Sequence, residues 1–203
     1  MSCAELELTS WRRTVAELYA HVRAAPDPAV SHAHWCAGRD ELFAHHPQSP
    51  LPPDDPLRAT GLPYWPYDPA LRFSLMVMGA PAAELAVPSA SDGTIGLRRI
   101  GRVHLPEPFD ASLDVWWLAQ YGGGLFLPLR DGTAGAGSYG GGRYLLDTAK
   151  GADLGGTGGH LVVDLNFAYH PSCRYNPRWE CPLAPEGNRM AAPVHAGERL
   201  TLG

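Results

Sequence analysis

The residues best placed to do chemistry lie between 139 and 198. In the segment His160–His170, apolar and polar residues alternate: Leu161, Val163, Leu165, Phe167 and Tyr169 fall on one side, and Val162, Asp164, Asn166 and Ala168 on the other. On a β-strand that period puts Asp164 and Asn166 on one face, two residues apart. A carboxylate in an apolar hollow has a raised pKa and can shuttle protons. Asp164 is therefore the expected acid or base, with Asn166 and Tyr169 orienting a ligand; the bland alternative is that both polar groups satisfy turn backbone or an arginine. Tyr139-Gly-Gly-Gly-Arg143 offers a close backbone approach and a guanidinium fork for an anion. Against this stands a wide hairpin turn whose Arg143 pairs with Asp164 or Glu198. The run lacks the lysine of a phosphate loop.

Cys173 and Cys181 lie in a proline-rich stretch just after His170. Four readings stay open: a loop disulfide, a metal pair with His170 and His195 or His160, a nucleophilic Cys173 activated by His170, and structural thiols. No CxxC spacing supports zinc, so no metal and no other cofactor is expected. Asn188, Arg189, Glu198 and Trp117 complete the candidate substrate-binding set. Trp116 and Trp117 are neighbours, so only one of them can face inward. Tyr64, Trp65, Tyr67, Tyr121 and Phe126 read as core, or as the wall of a pocket for a flat ligand. His32-Ala-His34-Trp-Cys36 reads as an exposed helix start, and His45-His46 as a helix end. No GxSxG, HExxH or dinucleotide fingerprint occurs.

The elements that must position these groups follow from periodicity. Trp11, Val15, Leu18 and Val22 form one helical face over 11–24, with Ser10 as N-cap and Pro26 and Pro28 as stops. A second helix is expected over 29–44, with Trp35, Leu42 and Phe43 inward. Residues 47–69 hold eight prolines, which excludes a central strand or a helix and suggests an extended strap. Strand-like runs follow at 71–79, 96–105, 113–121, 125–129, 142–148, 160–170 and 190–196, separated by SDG, YGGG, RDG, GTGG and APEGN turns. With no strand–helix–strand rhythm, the fold class is mainly β (α+β). It is an antiparallel barrel or sandwich with two N-terminal helices and the strap, divided at 1–46, 47–70 and 71–203 but forming one unit.

The chain has 203 residues, a net charge of −5, 15 Arg but one Lys, 23 Gly and 20 Pro. Without a basic stripe, nucleic acid is not an expected partner. No signal peptide or membrane-length apolar run is visible, so a cytoplasmic setting is expected and a membrane partner is not. A small molecule is the expected partner, and the sequence leaves room for a homodimer.

Several spaced words resemble the bacterial and archaeal family called domain of unknown function 1684. They are His46-Pro-Gln-Ser-Pro-Leu51, Gly61-Leu-Pro-Tyr-Trp-Pro-Tyr-Asp68, Tyr121-Gly-Gly-Gly-Leu-Phe-Leu-Pro-Leu-Arg-Asp131, Tyr139-Gly-Gly-Gly-Arg-Tyr-Leu145, Asp164-Leu-Asn-Phe-Ala-Tyr-His-Pro-Ser-Cys173, Cys181-Pro-Leu183, Asn188-Arg189 and Ala196-Gly-Glu198. The likeness spans roughly 30–200 and implies a common fold without an activity. The family pattern usually has Asn where this chain has His170.

Taken together, the residues lead to an expectation of a cofactor-free small-molecule enzyme performing hydrolysis, isomerisation or cyclisation. The Arg-, Ala- and Gly-rich usage suggests a GC-rich bacterial genome and a role in secondary metabolism. The alternatives are a non-catalytic ligand-binding barrel and a metal-dependent enzyme using His170 and Cys173.

Overall fold

A computed structural model describes residues 3–89 and 93–201. Two long helices, α1 (Ala4–Ala24) and α2 (Pro28–His45), pack on each other and on two antiparallel sheets. Helix α1 begins well before the expected Ser10. Glu5 and Glu7 in its first turn complement the helix dipole, and Cys3 stands at the cap position, its thiol donating to Glu5 and accepting from no helix amide. The expected inward face holds: Leu18 and Tyr19 are buried, and Trp11, Val15 and Val22 pack against the core. Asp27 caps α2 by accepting from the amides of Ala29 and Val30, and Pro28 takes the first helical position, where its missing N–H costs nothing. His32 is buried on α2, correcting the exposed reading; its Nε2 lies 2.9 Å from the carbonyl of Asn166.

The proline-rich strap is not wholly extended. It contains one short helix, α3 (Leu57–Thr60), stopped at Gly61. Arg58 of α3 donates to the carbonyls of Ala44, Leu51 and Pro52, which folds the strap back on α2. Farther on, the amide of Trp65 bonds Gly197, and the amide of Arg199 bonds Pro63.

The strands are β1 (Arg72–Met76), β2 (Glu84–Ser89), β3 (Gly93–Leu105), β4 (Ala111–Leu118), β5 (Leu125–Leu129), β6 (Arg143–Asp147) and β7 (His160–Asp164). One sheet is the meander β2-β3-β4-β5-β6; the other is the pair β1-β7. They are stitched at two corners by isolated bridges, Met78 to Arg102 and Tyr144 to Tyr169. The ladder is not continuous, so the architecture is sandwich-like and not a closed barrel. At the first corner β3 bulges between Arg99 and Gly101. A Cβ on Gly101 would lie 2.5 Å from the Met78 carbonyl oxygen, so the crossing needs glycine. Val103, Leu105, Leu113, Val115, Leu127, Leu129, Leu145, Val163 and Leu165 build the main core with Trp35, Leu42 and Phe43 of α2.

Three strand expectations are corrected. β2 was not expected, its proline and alanine being poor strand formers. Residues 190–196 form no strand; their contacts run to the 130–132 loop, where the amide of Gly132 bonds the carbonyl of Ala192. The run 160–170 stops being a strand at Asp164, where a 3-10 turn begins. Ser91 and Asp92 of the SDG turn lie outside the described residues. Among the described residues no helix is long and apolar enough to cross a membrane.

Candidate functional site

Because β7 ends at Asp164, the expected polar row does not form. The Asp164 carboxylate caps the next turn: its Oδ1 accepts from both the amide and the side-chain Nδ2 of Asn166. Its Oδ2 lies 3.4 Å from the Tyr67 hydroxyl and 4.0 Å from Arg72 Nε. Burial pushes its pKa up while the Asn166 bonds, Arg72 and Tyr67 pull it down. Asn166 is fully buried; it accepts from the amide of Asp68 (2.9 Å) and donates to the Asp68 carbonyl (2.8 Å). The pair thus locks the strap to the turn, while Asp164 also lines a recess of about 330 Å³ together with Arg72, Val162 and Phe167.

Arg143 is not an anion clamp. It is fully buried and pairs with Asp131 at 2.7 Å, not with Asp164 or Glu198. It also donates to the carbonyls of Val194, Ala196 and Glu198, leaving Nε alone without a partner among the described residues. Asn188 is structural as well: it accepts from the Trp116 indole (2.7 Å) and donates to the carbonyls of Asp114 and Pro128. Trp116 is therefore the inward member of its pair. Trp117 covers the β4–β5 turn, where a Cβ on Gly123 (φ 60°) would come within 2.2 Å of the indole. Arg189 is exposed and pairs with Glu186.

Glu198, His170, Tyr139 and Tyr169 do come together. The buried carboxylate of Glu198 accepts from Arg39 Nη2 (2.8 Å) and from the amide of His170 (2.9 Å). Its other oxygen lies 3.4 Å from His170 Nδ1. Burial opposes its charge, but His170 and Arg39 outweigh burial and hold its pKa below the ordinary carboxylate value. His170 Nε2 accepts from the amide of Tyr139 (3.1 Å). Both ring nitrogens are thus engaged away from Cys173, which corrects the expectation that His170 activates that thiol.

Arg39 was not foreseen. Its guanidinium sits among Trp35, Phe43 and Tyr169, with its centre about 5 Å from each ring centroid. Its Nε donates to the Tyr64 hydroxyl. The signal was present: Trp35, Arg39 and Phe43 are four residues apart, putting a charge on the apolar face of a helix.

Beside this network the helices and β6 enclose a cavity of about 70 Å³. Tyr19, Trp35 and Arg39 line it from the helices; Tyr144, Asp147 and Lys150 line it from the sheet side. Three of its side chains carry buried polar atoms that make no close hydrogen bond among the described residues, Tyr19 Oη, Trp35 Nε1 and Asp147 Oδ1, although the Trp35 indole and the Tyr19 hydroxyl interact with each other. The other Asp147 oxygen lies 3.7 Å from Lys150 Nζ. Burial pushes the Asp147 carboxyl up, against Lys150 and Arg12, which pull it down. Asp147 escaped the sequence reading because it merely ends an apolar strand word, Tyr144-Leu-Leu-Asp147.

Cys173 and Cys181 are unbridged and half-buried. Among the described residues no group of three or more His, Cys, Asp or Glu side chains is placed to hold a metal ion. His195 stacks on Trp65, and His160 is turned to the Gly158 carbonyl, so neither joins His170 and Cys173.

A family model described as "Protein of unknown function (DUF1684)" matches residues 58–199. The chain is also similar to a solution NMR structure of an uncharacterized protein from gene locus rrnAC0354 of Haloarcula marismortui. The two are 31% identical, the match covers 84% of this chain and 93% of that one, and the TM-score is 0.59. Among curated proteins nothing matches.

Proposed function

The chain belongs to the DUF1684 family, and from that premise we propose that it is a small-molecule enzyme working by proton transfer without an organic cofactor, its site the cavity between the helices and β6. The observation that carries this reading is the buried Asp147 carboxylate, whose Oδ1 has no hydrogen-bond partner among the described residues, in one cavity with the buried Tyr19 hydroxyl and Trp35 indole, which interact with each other. A buried donor or acceptor left unmade costs about 1–3 kcal/mol. An unmade carboxylate bond beside a hydroxyl and an indole favours a ligand that completes the set. Such a ligand accepts from the phenol, which the indole backs, and meets the carboxyl.

Asp147 is the proton-transfer group. Burial favours its protonated form, which suits a general acid that returns as base. The Trp35 N–H, the Tyr19 O–H and Arg39 supply positive potential for charge that develops on the substrate. The cavity is smaller than the roughly 150 Å³ void that admits benzene, so the enclosed part of the substrate is a few heavy atoms. Hydrolysis, isomerisation and cyclisation all fit that chemistry. The reading places the protein in the cytoplasm, with secondary metabolism as its setting.

The test is a panel of two- to four-carbon hydroxy acids, amino acids and amides. Binding is read as a rise in Tm; turnover, or deuterium uptake from D2O, is read by NMR. The expected result is a panel member that binds wild type and Asp147→Asn alike but is converted only by wild type. Conversion that survives in Asp147→Asn overturns the assignment. Binding without conversion by wild type supports the second reading, a non-catalytic binder, which the small volume favours.

A further inference from the structure

The loop 171–185 carries a second constellation that the proton-transfer reading does not use. Cys173 lies in the 3-10 turn Ser172–Arg174, and Cys181 follows in the same loop. Both line one surface recess of about 270 Å³, whose other walls include Val87, Ile95, Trp179 and Leu183. Cys181 also forms part of the wall of the cavity between the helices and β6, near Tyr144 and Lys150. The other two cysteines are placed differently. Cys3 is exposed and its thiol donates to Glu5; Cys36 is held against His32 on α2.

We propose that Cys181 and Cys173 form a thiol–disulfide exchange site for small disulfides, Cys181 attacking and Cys173 resolving. The two thiols interact directly. The Cys173 S–H stabilises the Cys181 thiolate against the opposing effect of burial, and Lys150 and the Cys173 backbone N–H add to it, pushing Cys181 down to about 6. The same contact, with burial, pushes Cys173 up. Burial pushes Cys36 up to about 12 and leaves it inert. The recess is mostly apolar, which suits a small, uncharged disulfide.

The chemistry balances. The Cys181 thiolate attacks one sulfur of the external disulfide, an S–S bond forms, the old S–S bond breaks, and one thiolate leaves and takes up a proton. Cys173 then loses its proton and attacks the Cys181 sulfur, expelling the second thiol. The two protein thiols are oxidised to a disulfide, and one external disulfide is reduced to two thiols. Because Cys181 belongs to both recess and cavity, the oxidised state reshapes the cavity wall.

The experiment uses the full chain and bis(2-hydroxyethyl) disulfide, followed by intact mass and peptide mapping. Wild type should lose two hydrogens and yield a 173–181 cross-linked peptide. Cys173→Ser should instead stop at a mixed disulfide on Cys181, and Cys181→Ser should not react beyond the rate of Cys3. At about pH 5.5 an ordinary thiol is almost wholly protonated. After allowing for the lower nucleophilicity of a more acidic thiol, exchange at Cys181 should run about tenfold faster than in the chain unfolded in guanidinium. That comparison needs no variant, so it stands even where a serine substitution perturbs folding. Absence of the cross-link, a rate no greater than in the unfolded chain, or undiminished exchange in folded Cys181→Ser overturns the proposal. None of these outcomes bears on Asp147.

Discussion

Glu198 holds Arg39 of the second helix through a 2.8 Å ion pair in which the carboxylate is fully buried and the guanidinium side chain is 10% exposed. Glu198→Gln keeps the shape but leaves the arginine without its counter-charge. The expected loss is about 3–5 kcal/mol, measured by urea denaturation followed by tryptophan fluorescence. Arg39→Met combined with Glu198→Leu should recover most of that loss. A single-variant loss below about 1 kcal/mol, the value of an exposed pair, would contradict the assignment.

Acid should reverse the same contribution. Glu198 has a folded-state pKa below its unfolded value, so as pH falls the unfolded chain takes the proton first. Its stabilisation is present above about pH 4.3, the ordinary glutamate value, and is lost as pH falls through the folded value. Wild type and Glu198→Gln should therefore converge in stability below that range; parallel curves down to acid would count against it.

Asp147 should behave with the opposite sign. Its folded-state pKa is raised, so between the unfolded value of about 3.9 and the folded one the native protein binds more protons. Stability then falls as pH rises through that window. Asp147→Asn removes the slope. The check is the difference in unfolding free energy between the two proteins from about pH 4 to 7: the variant should gain on wild type as pH rises.

Asn166 makes two reciprocal bonds to the backbone of Asp68, so Asn166→Ala should loosen the strap. The expected cost is about 1–3 kcal/mol, the penalty for buried groups left unpaired. Amide exchange at Asp68 should rise selectively; unchanged protection there would show that the strap is held elsewhere.

Much of the scaffold could be read from residue order, because both helices and six of the seven strands fall in runs marked by their apolar positions and flanking turns. Leu18 and Trp35 point inward for that reason. β2 was illegible because Pro88 and Ala86 weaken the strand signal of so short a run. The end of β7 was illegible because an aspartate that alternates correctly can also cap a turn, and only the bonds to Asn166 decide. Of the expected site, Glu198, His170, Tyr139 and Tyr169 converge, whereas Arg143 and Asn188 are spent on the scaffold. Asp147 and Arg39 draw their importance from contacts across the fold, which spacing along the chain does not encode.

The Arg39–Glu198 pair joins residues 159 positions apart, and this dictates an order of events during synthesis. At 5–20 residues per second, a ribosome delivers Glu198 roughly ten to thirty seconds after Arg39. The helical hairpin is therefore born carrying a charge whose partner has not yet been made. The guanidinium must wait for Glu198 to be made, so the aromatic box around it gains its counter-charge only after the strands between them have been synthesised.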